Sequence, residues 1–298
     1  MPKFEQFELC EPFSLSNYEK LPNSLRLDKT IKEEGKLYRL LIGSLDIKNN
    51  ITGEIIKQKT NYSVLGKRDR KRFSNNLFTE PLSSTTTLGI LDKYLTASNP
   101  SNIPLFKDLI NEYCFYHYYK LNGVHTLAFL HIYRILERMS YTFPMLYASK
   151  ATDYVGTFNK LQNFFKGSNS ELKFFNLFIN DFFEDEFLEY KVKINITAHN
   201  EDIRESYYKI LNMLCKSNDP AINIVGFNEF SDITMENRDT INLLIHLRNR
   251  YFHFASGGQR NITSSEMIEP NDFYKLLNEH FINWLAVVYF TIVKASIK

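Results

Sequence analysis

Apolar and polar positions alternate in two different styles along the 298-residue chain, and the change falls near residue 100. Before it, Pro12, Pro22 and the Ser/Thr cluster at 83–87 interrupt every apolar run. Residues 37–64 hold two short apolar stretches around Lys48, Asn49 and Asn50, which read either as a hairpin or as a segment with a helix through Leu40. After it the spacing turns helical. Asn102 and Pro104 mark a helix start, followed by Leu105, Leu109, Ile110, Tyr113 and Cys114 at intervals of three and four.

Gly123 ends that run, and a second helix is predicted from about Thr126 through Met139, with Pro144 close to its end. Phe158, Leu161, Phe164 and Phe165 predict a third, closed near Gly167, and two more are expected near 172–187 and 204–216. Tyr190 to His199 alternates weakly and reads as strand or loop. A further helix is expected after Ser231 and Asp232, carrying Leu243, Leu244, Leu247 and Tyr251 and stopping at the pair Gly257 and Gly258. The last opens around Pro270 and places Phe273, Leu277, Phe281, Trp284 and Val288 on one broad face. The expected fold is mainly α: a helical bundle over 101–298, with a less regular accessory region, α+β in one reading, over 1–100.

Composition narrows the function classes. An apolar fraction of 44% supports a packed core, and a formal charge of +2 from 36 basic against 34 acidic residues is unlike a protein that coats nucleic acid. Cys10, Cys114 and Cys215 are scattered and odd in number, which fits a reducing compartment. The polar start lacks a secretory apolar region, so the expected location is the cytoplasm. The apolar run from Trp284 to Val293 is about half the length a bilayer requires and is read as buried helix, with no membrane partner. His117, His125 and His131 lie eight and six apart, off any common helix face, and the acidic group Glu184, Asp185, Glu186 and Glu189 reads as a solvated helix end in preference to a divalent-ion site. No metal and no cofactor are expected. Phosphate-loop, nucleophile-elbow and zinc-protease signatures are absent from the sequence.

The chemistry concentrates at Leu247, Arg248, Asn249, Arg250, Tyr251, Phe252 and His253. A permanently charged guanidinium can hold a phosphate, and an imidazole can exchange protons near neutrality. In a regular helix residues five apart are separated by roughly 140°. Arg248 and His253 therefore do not share a face, whereas Asn249 and His253, four apart, do.

The spelling Arg-Asn-x-x-x-His resembles the signature of the HEPN superfamily, helical dimeric domains found mostly in prokaryotic toxins, antiphage effectors and CRISPR-associated ribonucleases. The resemblance implies a metal-independent endoribonuclease in which a ribose 2′-OH attacks the adjacent phosphorus and leaves a 2′,3′-cyclic phosphate. His253 would exchange the proton, Arg248 would hold the developing charge, and Asn249 would orient the histidine or touch the phosphate. It also implies a homodimer with a composite site at a two-fold axis, RNA as substrate, and a regulatory protein or antitoxin as a further partner. The alternative is an inactive dimeric binding or adaptor module of the same fold. Relatives often add a polar residue from an earlier helix, and Glu137, flanked by Arg134 and Arg138, is the accessory candidate here, its other reading being an exposed, ion-paired glutamate. The basic run Lys67, Arg68, Arg70, Lys71 and Arg72 is either a solvated loop or a rest for an RNA backbone.

Overall fold

The computed structural model describes residues 5–12, 18–66, 68–69, 74–168, 170–216, 221–252 and 260–297. The chain is mainly α-helical and divides into two compact units. The first comprises Met1–Asn122, Arg134–Thr152 and Leu285–Lys298, and the second comprises Gly123–Tyr133 and Asp153–Trp284.

In the first unit the two readings of residues 37–64 both hold, one after the other. Glu33–Leu41 forms helix α1, with Glu33 and Glu34 in its first turn, where carboxylates complement the exposed backbone amides. Gly43, at φ +73°, then turns the chain, and a Cβ there would lie 2.8 Å from the Thr60 carbonyl oxygen. An antiparallel sheet follows, in which β1 (Phe7–Cys10) pairs with β2 (Asp46–Asn49) and β2 with β3 (Ile55–Ile56). Its register sets Phe7 opposite Asn49 and Ile47 opposite Ile56. The short strands β4 (Thr60–Asn61) and β5 (Arg68–Asp69) form a separate pair.

Arg39 ties these pieces together. Its guanidinium is fully buried, donates to both Glu11 carboxylate oxygens at 2.6 and 2.7 Å, and reaches the Leu25 carbonyl at 2.8 Å. Helices α2 (Asn76–Thr79), α3 (Leu88–Thr96) and α4 (Ile103–Leu121) follow. Pro104 starts α4 as the spacing predicts, although the Asn102 side chain makes no capping bond. The aromatic run on α4 packs inward at Tyr113, Tyr116 and His117, and Phe115 meets Phe7 edge to face at 5.0 Å.

Helix α5 runs from His125 to Lys150, so Pro144 lies inside it rather than ending it. Proline removes one backbone donor and costs about 3 kcal/mol within a helix. Burial of Met139, Ser140 and Phe143 just before it supplies the packing that carries the helix through. The stretch of the last helix from Leu285 to Val293 is buried except at half-buried Thr291, and Phe290 meets Tyr38 edge to face at 4.9 Å.

The second unit begins with the first turns of α5 and adds α6 (Tyr154–Gly167), α7 (Glu171–Phe182) and α8 (Asp185–Leu188). The single helix expected over 172–187 is thus two pieces, broken at Phe183, whose backbone is extended. Residues 190–199 resolve to a strand, β6 (Lys191–Asn195), in which Val192 and Ile194 alternate inward. After α9 (Glu201–Cys215) come β7 (Ile224–Asn228) and β8 (Asp232–Glu236), giving an antiparallel sheet of order β6-β8-β7. The bundle expected over 101–298 therefore contains a sheet.

This strand also corrects the start of the motif helix, which opens at Thr240 rather than after Asp232. Ile233 and Met235 point into the core with a period of two, which only a strand satisfies. Helix α10 (Thr240–Leu247) follows, then α11 (Ser264–Met267) and α12 (Pro270–Ser296). By length and composition α12 could cross a membrane, but 78% of its apolar window is buried within the fold, as in the core helix of a folded domain. In the second unit Trp284 closes the core, its indole N–H donating to the Asn237 carbonyl at 3.1 Å.

Candidate functional site

Helix α10 is apolar nearly all round. Ile241, Leu243, Leu244 and Leu247 are buried, so the backbone arriving at Arg248 is rigidly held. Arg248–Phe252 then forms a π-helical turn, whose hydrogen bonds close from residue i to i+5 instead of i+4. Such turns need tertiary support, and here aromatic rings supply it. Phe252 stacks on Phe129 of α5 with centroids 5.9 Å apart and planes 11° apart. Tyr251 and Tyr274 meet at 5.7 Å, Phe129 and Tyr274 at 4.6 Å. The Tyr251 hydroxyl shares a hydrogen bond with Ser264 Oγ at 3.2 Å.

Arg248 is half-buried, and its guanidinium carbon lies 4.8 Å from the centroid of the Tyr133 ring, one helical turn along α5 from Phe129. Its Nη1 donates to Asn249 Oδ1 at 3.1 Å. The ring and the amide set the direction of the charge. Arg250 turns the other way: it is buried, its carbonyl accepts from the Ile262 amide at 2.8 Å, and desolvation pulls its pKa down. It belongs to the framework.

His253 and the pair Gly257 and Gly258 lie outside the described residues. So do Lys67, Arg70, Lys71 and Arg72 of the basic run, while the backbone of Arg68 pairs opposite Asn61 in the short β4–β5 ribbon. Glu137 is half-buried in the first unit. Its neighbours Arg134 and Arg138 do not pair with it; they hold Glu112 of α4 at 2.9 and 3.3 Å, and Arg138 also faces Asp108 at 3.5 Å. No ion pair to Glu137 occurs among the described residues.

A hollow of about 500 Å³ adjoins the chain that follows the motif, between α9 and residues 260–266. Arg260 pairs there with Glu266, which also closes a capping box with Thr263, and Lys209 pairs with Glu205 at 2.5 Å. Its cations are thus matched within the protein, and it is not a bare phosphate cradle.

One cluster escaped the sequence reading. His199, Glu269 and Asp272 each offer a ligand atom, all within 4.8 Å of one another, and His199 Nδ1 is 3.4 Å from Glu269 Oε2. These side chains could hold a divalent ion, and their position at the start of α12 equally suits charges that complement its N-terminal amides. No spacing rule links residue 199 to 269 and 272, so the sequence carried no signal for it. Compared with protein-family models, curated proteins and solved structures, the chain shows no significant match to any.

Proposed function

We propose that this chain is a metal-independent endoribonuclease of the HEPN type, acting as a homodimer on RNA in the cytoplasm as a toxin or antiphage effector. The observation that carries the reading is the π-helical turn that opens at Arg248. A regular helix would separate Arg248 and His253 by roughly 140°. A turn closing from i to i+5 brings residues five apart towards one face more closely than a regular helix does, and five is the sequence spacing of Arg248 and His253.

In the reaction, the imidazole of His253 takes the proton from a ribose 2′-OH as its oxygen attacks the adjacent phosphorus. The bond to the 5′-oxygen breaks, that oxygen takes a proton from the imidazolium so formed or from water, and a 2′,3′-cyclic phosphate remains. Arg248 holds the charge that grows on the non-bridging oxygens, a contribution of about 10²-fold to 10³-fold for one well-placed donor. Tyr133 and Asn249 keep the guanidinium in place, which removes the entropy of ordering a long side chain during the reaction. Cleavage of RNA in EDTA by wild type, R248A and H253A tests the assignment. Activity lost in both variants supports it; activity kept in both removes it; RNA binding without cleavage in wild type favours the adaptor reading.

A further inference from the structure

The first unit contains a cavity of about 540 Å³, within the range that encloses a small metabolite, bounded by α1, α3, α4 and the end of α5. Its lining includes two charged side chains, Glu34 and Lys150. Glu34 is buried, and its Oε1 accepts a hydrogen bond from the Tyr94 hydroxyl at 2.6 Å. Among the described residues no lysine or arginine nitrogen lies within ion-pair distance of it. Ser98 also hydrogen-bonds the carboxyl and Lys32 and Lys150 lie near it, yet neither lysine is in direct contact, and Glu34, Tyr94, Ser98 and Lys150 all line the cavity.

Lys150 is exposed, with its Nζ 5.9 Å from the centroid of the Tyr94 ring. It lies close enough for its charge to oppose the effect of burial on the Glu34 carboxyl. The cavity thus carries a buried carboxyl group and an exposed cation. Phe106, Tyr141, Met145 and Leu146 provide an apolar part of the lining. A lone amine would be drawn by Glu34 and repelled by Lys150, and a phosphorylated ligand would bring more negative charge than one lysine matches. A zwitterion satisfies both ends.

We propose that this cavity is a binding site for a small zwitterion of the amino-acid class, with its ammonium on Glu34, its carboxylate on Lys150 and an apolar side chain against the apolar part of the lining. The proposal is independent of ribonuclease activity. Titration calorimetry of the full chain with L-phenylalanine, phenethylamine and 3-phenylpropionate, which share a skeleton and differ in their charged ends, tests it. Saturable binding of phenylalanine is expected, at least ~10-fold tighter than either one-ended analogue. E34Q should lose that binding by at least ~10-fold, and K150M should bring phenylalanine and phenethylamine to similar affinities. M145W, which fills the cavity from an exposed position, should abolish binding with Glu34 intact and covers the case in which E34Q misfolds. Absence of saturable heat for L-phenylalanine and L-leucine up to about 10 mM would overturn the proposal, as would undiminished binding by M145W or by folded E34Q.

Discussion

The Arg248 guanidinium lies 4.8 Å above the ring of Tyr133, so the charge on which the proposed chemistry depends is positioned by an aromatic face on a different helix. A cation over an aromatic ring is worth about 0.5–2 kcal/mol, the higher value where water is excluded. Y133F keeps the face and should cleave RNA at close to the wild-type rate. Y133L keeps much of the apolar volume and loses the face, and should slow cleavage by about 10-fold, in line with the upper part of that range. Single-turnover rates for the two variants distinguish positioning from packing, because a purely structural tyrosine would show its loss in the melting temperature alone.

The π turn depends on its ring cluster. Phe129 is fully buried and touches Phe252, Tyr274 and Phe281. F129A should cost about 3–5 kcal/mol, read from urea unfolding, and F129L clearly less. Ribonuclease activity in F129L should fall further than its stability does if the geometry of the turn matters to the reaction.

At Gly43 the backbone is left-handed and packed against the carbonyls of Lys59 and Thr60. G43A adds both a conformational penalty of about 1–2 kcal/mol and a steric one. The variant should melt well below wild type by calorimetry, whereas G53A, at a turn with open space around it, should show the conformational part alone.

Burial raises the pKa of Glu34 above its ordinary 4.5, against the smaller opposing effects of Ser98, Tyr94, Lys150 and Lys32. A carboxyl whose folded pKa is raised holds its proton more tightly in the native state. Below 4.5 it is protonated folded or unfolded and makes no difference. As pH rises from there through the folded pKa, the unfolded chain ionises first, and this group withdraws stability until it too is ionised. Urea unfolding followed from pH 4.5 to 7 should show a smaller decline, or a steeper rise, in E34Q than in wild type. Identical pH slopes would show that Glu34 does not titrate in this window. Bound zwitterion would keep the carboxylate ionised, so its affinity should weaken on acidification across the same range.

Much of this molecule was legible before its structure, and the failures have physical reasons. The last helix is announced by Pro270 and by Phe273, Leu277, Phe281 and Trp284 on one face, and α4 by Pro104. In the sheet of the second unit, β6 falls where the alternation of 190–199 left strand or loop open, whereas β8 was missed because it has only five residues, with Ile233 and Met235 as its inward signals ahead of a strongly apolar helix. Pro144 misled because local propensity argues for a stop that burial around it overrides. At the candidate site the residue types at Arg248 and Asn249 were readable, but the π turn was not, since nothing in Arg-Asn-Arg-Tyr-Phe distinguishes it from an α-helical turn. The support of that turn comes from Phe129, Tyr133 and Tyr274, far away in sequence. Glu34 and Tyr94, 60 residues apart, could be joined only by the fold.

The most direct test of the central claim is cleavage of total RNA by the purified chain in EDTA, beside R248A and H253A, with the product ends identified. The account predicts cuts that leave 2′,3′-cyclic phosphates in wild type and their loss in both variants, with each variant folded by circular dichroism. Cleavage by wild type that persists undiminished in R248A and H253A would contradict it.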